Sequence, residues 1–333
     1  MIALATQADL EVLNSRVAFL EAAVAALQQV PLPVAPPSPS TGTILFTESF
    51  NDPNLAARGW YDNAADAGTV PIDGGALRCH FAVGSQLPDW GGAIRHPLAP
   101  TMPASPWPST PSLYVRTRLK FSDSWLFSAP SATTDEMHLL YLLTTESGMW
   151  TGPGSATPLT AYLQHRAVGT GAAGSVELQD AADIVATPTP PWPLSSFGPT
   201  GAVCGCNGDP GDGWSALDCY GGAGWHNGKY FYPTVAEWSN DPASPAYKGG
   251  WHMSATYLQL NTITNGIANA DGILRRWFDR QLVLERTTVR FRNAAHPTMA
   301  FAQVLLGPYL AAPAVMDQTL WIDELLVATD VVP

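Results

Sequence analysis

Apolar residues Leu10, Leu13, Val17, Leu20, Val24 and Leu27 recur in alternating steps of three and four, and Pro31 ends the run. A period of 3.5 predicts a helix over 1–30 whose narrow stripe buries itself only against copies of the same chain, in a parallel coiled coil. Leu10, Val17 and Val24 take the a positions, and Leu13, Leu20 and Leu27 the d positions. Arg16 falls at g and Glu21 at the following e, the offset at which parallel neighbours pair charges. Val over Leu layers lean towards two strands. A short seam in front of a bulky body is expected to close as a homotrimer, with the dimer as its alternative.

Residues 31–43, PLPVAPPSPSTGT, carry five prolines and no periodicity, which predicts an extended, semi-rigid linker. From Ile44 the period changes to two. ILFTESF, ALRCHFAV, SLYVRTRLKF, MHLLYLLT, LTAYLQHRA, WHMSATYLQLNT, ILRRWFD, QLVLE, TVRFR, FAQVLLG and TLWIDELLVAT alternate between Gly, Pro, Asn and Asp clusters and are read as strands. About eleven strands in one stretch predict an all-β body over 44–333, two antiparallel sheets packed as a sandwich or jelly roll. A Gly-, Pro- and Cys-rich insertion over about 186–250 interrupts it.

Composition narrows the partners. A net charge of −12 leaves no basic stripe for phosphates and argues against nucleic acid. No apolar run approaches the roughly 18 residues of a membrane span. The N-terminus also lacks the basic segment and apolar block of a signal peptide, so export by that route is not expected.

The order WHMSATYLQLNT, NADGILRRWFDRQLVLERTTVRFR, FAQVLLGPY and TLWIDELLVAT resembles the concanavalin A-like jelly rolls of bacterial and viral polysaccharide lyases and their non-catalytic relatives. In that family a strand opening on Trp-His leads through Asn to a DG-x-L-x-x-W-x-D-G hairpin, and an Asp-containing strand closes the domain. ILFTESFND with RGWYDN resembles its opening. The likeness spans roughly 44–333, and its motifs are structural, so they speak to fold before activity. Arg280 stands where the hairpin turn carries Gly.

A retaining glucanase of this fold needs paired carboxylates on one strand, and the E-x-D-x-x-E string is absent. A lyase instead needs a His or Tyr to take a proton and Arg, Gln or Asn to damp the uronate charge. The period of two places Tyr114, Arg116, Arg118 and Lys120 on one face of their strand. Tyr162, Gln164 and Arg166 are likewise co-facial, as are Tyr257, Gln259 and Asn261, and Arg275 with Trp277. If these strands are neighbours, they make one polar, aromatic floor for cell-surface glycans, extended by Gln303. His138, His165 and His252 are the candidate bases, with His252 read as structural. A lyase would draw on His138, Tyr257 and Arg118.

The resemblance also implies calcium between the first and last strands, held by Glu48, Asp52 and Asp323. In the insertion, Cys219 is expected to pair with Cys204 or Cys206. The spacing with His226 leaves zinc open, and Asn207, Asp209, Asp212 and Asp218 only loosely follow a calcium loop. Trp214, Trp225, His226, Tyr230, Tyr232 and Trp238 make the insertion aromatic, as a lid, a glycan loop or a subunit interface. The seam, the missing signal and the glycan-type fold together lead to an expected function. It is a homotrimeric fibre or decoration protein on a bacteriophage virion, extracellular after lysis, docked on capsid or tail proteins through its N-terminus and displaying carbohydrate-binding jelly rolls. The alternative is a polysaccharide lyase cleaving uronate-containing glycans by β-elimination.

Overall fold

Where apolar and polar residues alternate, a strand can bury one face and leave the other for solvent or ligand, and this chain uses that device repeatedly. The computed structural model describes residues 42–61, 70–101, 107–127, 136–145, 159–179, 230–289, 291–292 and 297–332. The expected coiled coil with Leu10, Leu13, Val17, Leu20, Val24 and Leu27, nearly all of the linker, and Cys204, Cys206 and Cys219 lie outside them.

The strands in chain order are β1 (Ile44–Glu48), β2 (Ile72–Asp73), β3 (Ala76–Phe81), β4 (Ile94–Pro97), β5 (Ser112–Phe121), β6 (Glu136–Thr144), β7 (Thr160–Val168) and β8 (Gly171–Gln179). They continue with β9 (Tyr230–Phe231), β10 (His252–Gln259), β11 (Ile263–Thr264), β12 (Ile267–Ala268), β13 (Gly272–Phe278), β14 (Gln281–Val289), β15 (Phe301–Leu310) and β16 (Gln318–Ala328). The larger sheet runs β14-β13-β10-β5-β16-β3-β2, with β1 also pairing along β16, and the smaller runs β4-β15-β6-β7-β8-β9. All pairings within both sheets are antiparallel, and β11 with β12 forms a separate ribbon. The protein is an all-β sandwich. No helix among the described residues is long and apolar enough to cross a membrane.

The two inner faces supply one core. Leu113, Val115 and Leu119 of β5 meet Leu163 of β7, Val176 of β8 and Val304 of β15 within it. Cys79 is fully buried there, and burial holds its thiol well above the ordinary range. Trp238, expected in a lid, a glycan loop or a subunit interface, is instead a core residue, touching the rings of Phe121, His165, His252 and Phe278.

The core also holds an ion pair, Arg276 Nη2 to Glu237 Oε2 at 3.2 Å, with both side chains 2% exposed. Thr256 Oγ1 and Ser254 Oγ accept from the same guanidinium, and Gly174 N donates to Glu237 Oε2. A Cβ at Gly174 would overlap the guanidinium, so this strand carries glycine where the arginine crosses it.

The β13–β14 hairpin turns through Asp279 and Arg280, both left-handed at φ 45° and 70°. Two successive positive φ values are those of a type I′ turn, which matches the twist of its strands and accepts Asp at the first position. His252 Nδ1 lies 2.7 Å from Asp279 Oδ2, and Met253 N donates to Asp279 Oδ1. The structural role expected of His252 is this lock.

Candidate functional site

The outer face of the six-stranded sheet gathers the chemistry. On β7, Ala161 and Leu163 point into the core, so Tyr162, Gln164 and Arg166 lie on the opposite face of the sheet, where Tyr162 and Gln164 are buried and Arg166 is half-buried. On β6 the alternation shifts at a bulge between His138 and Leu140, which lets both His138 and Tyr141 face outward over a core formed by Met137, Leu139, Leu140 and Leu142. On β15, Gln303, Leu305, Gly307 and Tyr309 alternate with core-facing Val304, Leu306 and Leu310.

Register converts these faces into two rows across the strands. One row reads Tyr309, His138, Gln164 and Ser175 on β15, β6, β7 and β8. The adjacent row reads Arg95, Leu305, Tyr141, Tyr162 and Glu177 from β4 to β8. His138 sits among three tyrosines, its ring centroid 5.2 Å from Tyr162 and 5.7 Å from both Tyr141 and Tyr309. Its Nδ1 lies 3.1 Å from Tyr141 Oη. Gly307 leaves the floor open beside Tyr141, since a Cβ there would come within 2.8 Å of that ring.

Both ends of the face carry further polar and aromatic groups. Tyr61 donates to Gln303 Oε1 and meets Trp107 edge-on at 5.6 Å. At the other end the Arg166 guanidinium lies 5.0 Å over the exposed ring of Tyr232. Tyr309 is held from outside the sheet. Gln86 Nε2 lies 2.8 Å from its Oη and 3.1 Å from the carbonyls of Leu310 and Ala311. Those carbonyls fix the NH₂ end of the amide towards Tyr309, so the phenol oxygen accepts and its own proton points elsewhere.

The single floor expected from the sequence divides in two. Tyr162, Gln164, Arg166 and Gln303 share the face of His138. Arg116, Arg118, Tyr257, Gln259 and Trp277 occupy the outer face of the eight-stranded sheet, on the far side of the core. Alternation fixes which residues share a face of one strand, but not which sheet that strand joins. His138, Tyr257 and Arg118 therefore cannot act at one centre.

Groups on the far face are engaged with one another. Arg118 reaches Glu324 at 2.7 Å and lies 5.1 Å over Trp251, and Arg275 reaches Glu285 at 2.6 Å. Tyr114, Tyr257 and Trp277 form a buried patch against which Val331 and Val332 pack. Asn261, expected beside Tyr257, is fully buried, with its Oδ1 accepting from Phe291 and Arg292 backbone N–H groups. His165 points into the core, not onto the floor.

The three carboxylates expected to hold calcium have protein partners. Both oxygens of buried Glu48 are taken, Oε1 by Phe50 N and Oε2 by Arg58 Nε and Trp60 Nε1. Asp323 stands across from Arg118, and Glu48, Asp52 and Asp323 form no metal-holding group among the described residues. Arg58 Nε pairs with Glu48 Oε2 at 2.8 Å, and Arg118 Nη1 lies 3.9 Å from Asp323 Oδ2.

Tyr141, Tyr309, Glu177, Arg95, Gln86 and Tyr61 were not singled out by sequence. Alternation could have found Tyr141 had the β6 bulge been visible. Tyr309 lies beyond the run FAQVLLG, after Pro308, a residue without the N–H that a central strand donates.

No protein-family model matches the chain, and no curated protein matches it. Solved structures do. Alginate lyase vAL-1 from Chlorella virus aligns with 88% of this chain and 100% of its own, at 11% identity and a TM-score of 0.50. The PL-14 alginate lyase from Aplysia kurodai aligns with 86% and 100%, at 13% identity and 0.48. The endo-β-1,4-glucuronan lyase from Trichoderma reesei aligns with 88% and 96%, at 11% identity and 0.39. These structural neighbours are polysaccharide lyases, and what the chain shares with the first is the β-sandwich fold.

Proposed function

We propose that the protein is a polysaccharide lyase that cleaves uronate-containing glycans by β-elimination on the outer face of the six-stranded sheet. The observation that carries this is one row of residues, Tyr309, His138 and Gln164, directly opposite one another on adjacent strands. A base, a phenol and an amide are thereby placed side by side on a face rich in rings.

Elimination removes the proton at C5 of the uronate, forms a C4–C5 double bond and breaks the C4–O bond to the preceding sugar. The C5 proton is acidic only when the adjacent carboxylate is neutralised. In this reading the Gln164 amide and the Arg166 guanidinium face that carboxylate, with Arg166 braced on Tyr232. His138 takes the C5 proton, and Tyr309 donates its proton to the departing oxygen. Tyr162, itself buried, steadies this floor by packing edge to face against His138 and Tyr141.

The test is incubation with polyuronates, followed by the ultraviolet absorbance of the unsaturated product. Activity is expected in the native protein and in Arg118→Ala, which alters the opposite face, and is expected to vanish in His138→Ala. Glycan binding without any product would reduce the site to a non-catalytic recognition face and end the lyase reading. The reading as a trimeric bacteriophage fibre or decoration protein draws on residues 1–41, outside the described residues, and nothing in the described body favours it.

A further inference from the structure

Imidazole can act as a base at Nε2 only if its other nitrogen carries the proton, and something must select that tautomer. We propose that Tyr141 is the positioning residue that selects it, accepting a hydrogen bond from His138 Nδ1–H and so turning the Nε2 lone pair towards the substrate. This rests on the lyase reading and assigns Tyr141 no contact with the reacting atoms.

The geometry begins with the 3.1 Å separation of His138 Nδ1 and Tyr141 Oη. Both side chains face outward from one strand, three residues apart, because the β6 bulge breaks the alternation between them. A regular strand would send residues three apart to opposite faces, so the contact exists only through the bulge. The Tyr141 ring is itself fixed, at 4.6 Å from Tyr162 edge to face.

The direction of the hydrogen bond follows from the surroundings of the phenol. Burial first, then the charge of Glu177, holds Tyr141 above the ordinary phenol range, so its hydroxyl keeps its proton. Glu177 lies beyond Tyr162 in the same row, on the side of Tyr141 away from β15. A carboxylate there draws the O–H dipole towards itself and leaves an oxygen lone pair for His138. Free neutral imidazole in a side chain prefers its proton on Nε2, so without Tyr141 the balance would shift to the form that lacks a basic Nε2.

The experiment is ¹⁵N NMR of the native protein labelled at histidine, with the His138 signals assigned by their loss in His138→Gln. The native spectrum is expected to show a protonated Nδ1 and an unprotonated Nε2. In Tyr141→Phe, which keeps the ring packed on Tyr162, the Nε2–H form should become the major one. Turnover should then fall roughly ten- to hundredfold with KM within about twofold, the scale of loss when the partner that orients a metal-bound histidine is removed. An Nε2–H form in the native protein, or an unchanged tautomer in Tyr141→Phe, overturns the assignment. A tautomer that responds as stated in a protein without lyase activity would uphold the positioning and remove the lyase reading on its own.

Discussion

Gln164 on β7 lies directly across the strand pair from His138 on β6. In an antiparallel pair, directly opposed side chains stand about 5 Å apart, close enough for one uronate ring to meet both. If Gln164 damps the carboxylate charge, Gln164→Glu places like charge against it. We expect kcat/KM on polyuronate to fall by about 10² or more, the scale of losing an electrostatic group at the reacting centre. Gln164→Asn keeps the amide and should lose less. Steady-state kinetics on the two variants check the order.

Gln86 reaches Tyr309 from a loop outside the sheet, and its two backbone carbonyl contacts hold the amide in place. Gln86→Leu removes the donor without touching the floor. Turnover should fall about tenfold with little change in KM, the kinetic equivalent of one hydrogen bond of about 1.4 kcal/mol. A KM effect alone would show that Gln86 shapes binding and not the proton donor.

Most strands could be read from alternation. Eight of the eleven expected runs fall on the larger sheet: ILFTESF, ALRCHFAV, SLYVRTRLKF, WHMSATYLQLNT, ILRRWFD and TLWIDELLVAT as β1, β3, β5, β10, β13 and β16, and QLVLE with the start of TVRFR as β14. QLVLE and the first two residues of TVRFR belong to one strand, because Arg286 to Thr288 stay extended along an exposed stretch of β14, while Phe291 and Arg292 lie beyond its end. Strand β8, GAAGSVELQ, was missed since its small residues carry almost no alternating signal, yet smallness is what lets Arg276 cross Gly174. The candidate site was half legible. Tyr162, Gln164, Arg166, Gln303 and His138 were named, but their separation from Arg116, Arg118 and Tyr257 depends on which distant strands pair. That information lies in contacts between strands far apart in sequence, not in the period of any one strand.

At the β13–β14 turn, Arg280 holds φ 70° where a glycine would carry no steric penalty. Left-handed backbone costs an L-residue about 1–2 kcal/mol, partly offset by the greater entropy glycine loses on folding. Arg280→Gly is therefore expected to stabilise the protein by about 0.5–1 kcal/mol. Asp279→Ala should do the reverse by about 1–2 kcal/mol, because it strands His252 Nδ1 and the Met253 N–H. Chemical denaturation of the two variants tests both signs, and neither should move the kinetics of a site on the other sheet.

Acid stability should be governed in part by His165. Its ring lies 5.6 Å from Phe121 and 5.7 Å from Trp238 inside the core, and neither ring nitrogen has a hydrogen-bond partner among the described residues. Burial, reinforced by the Arg276 charge, lowers its pKa from 6.5 to about 3. The folded state thus refuses a proton that the unfolded chain accepts. Between those two values the unfolded state binds more protons, so stability is complete above pH 6.5 and declines as pH falls towards 3. The slope is about 1.4 kcal/mol per pH unit from this residue. His96, lowered chiefly by burial, adds a decline of the same sign. His165→Phe, which keeps a flat ring against Trp238, should flatten the acid side of a stability-against-pH curve while leaving the part due to His96. An unchanged slope in that variant would mean that other groups, and not His165, carry the acid sensitivity.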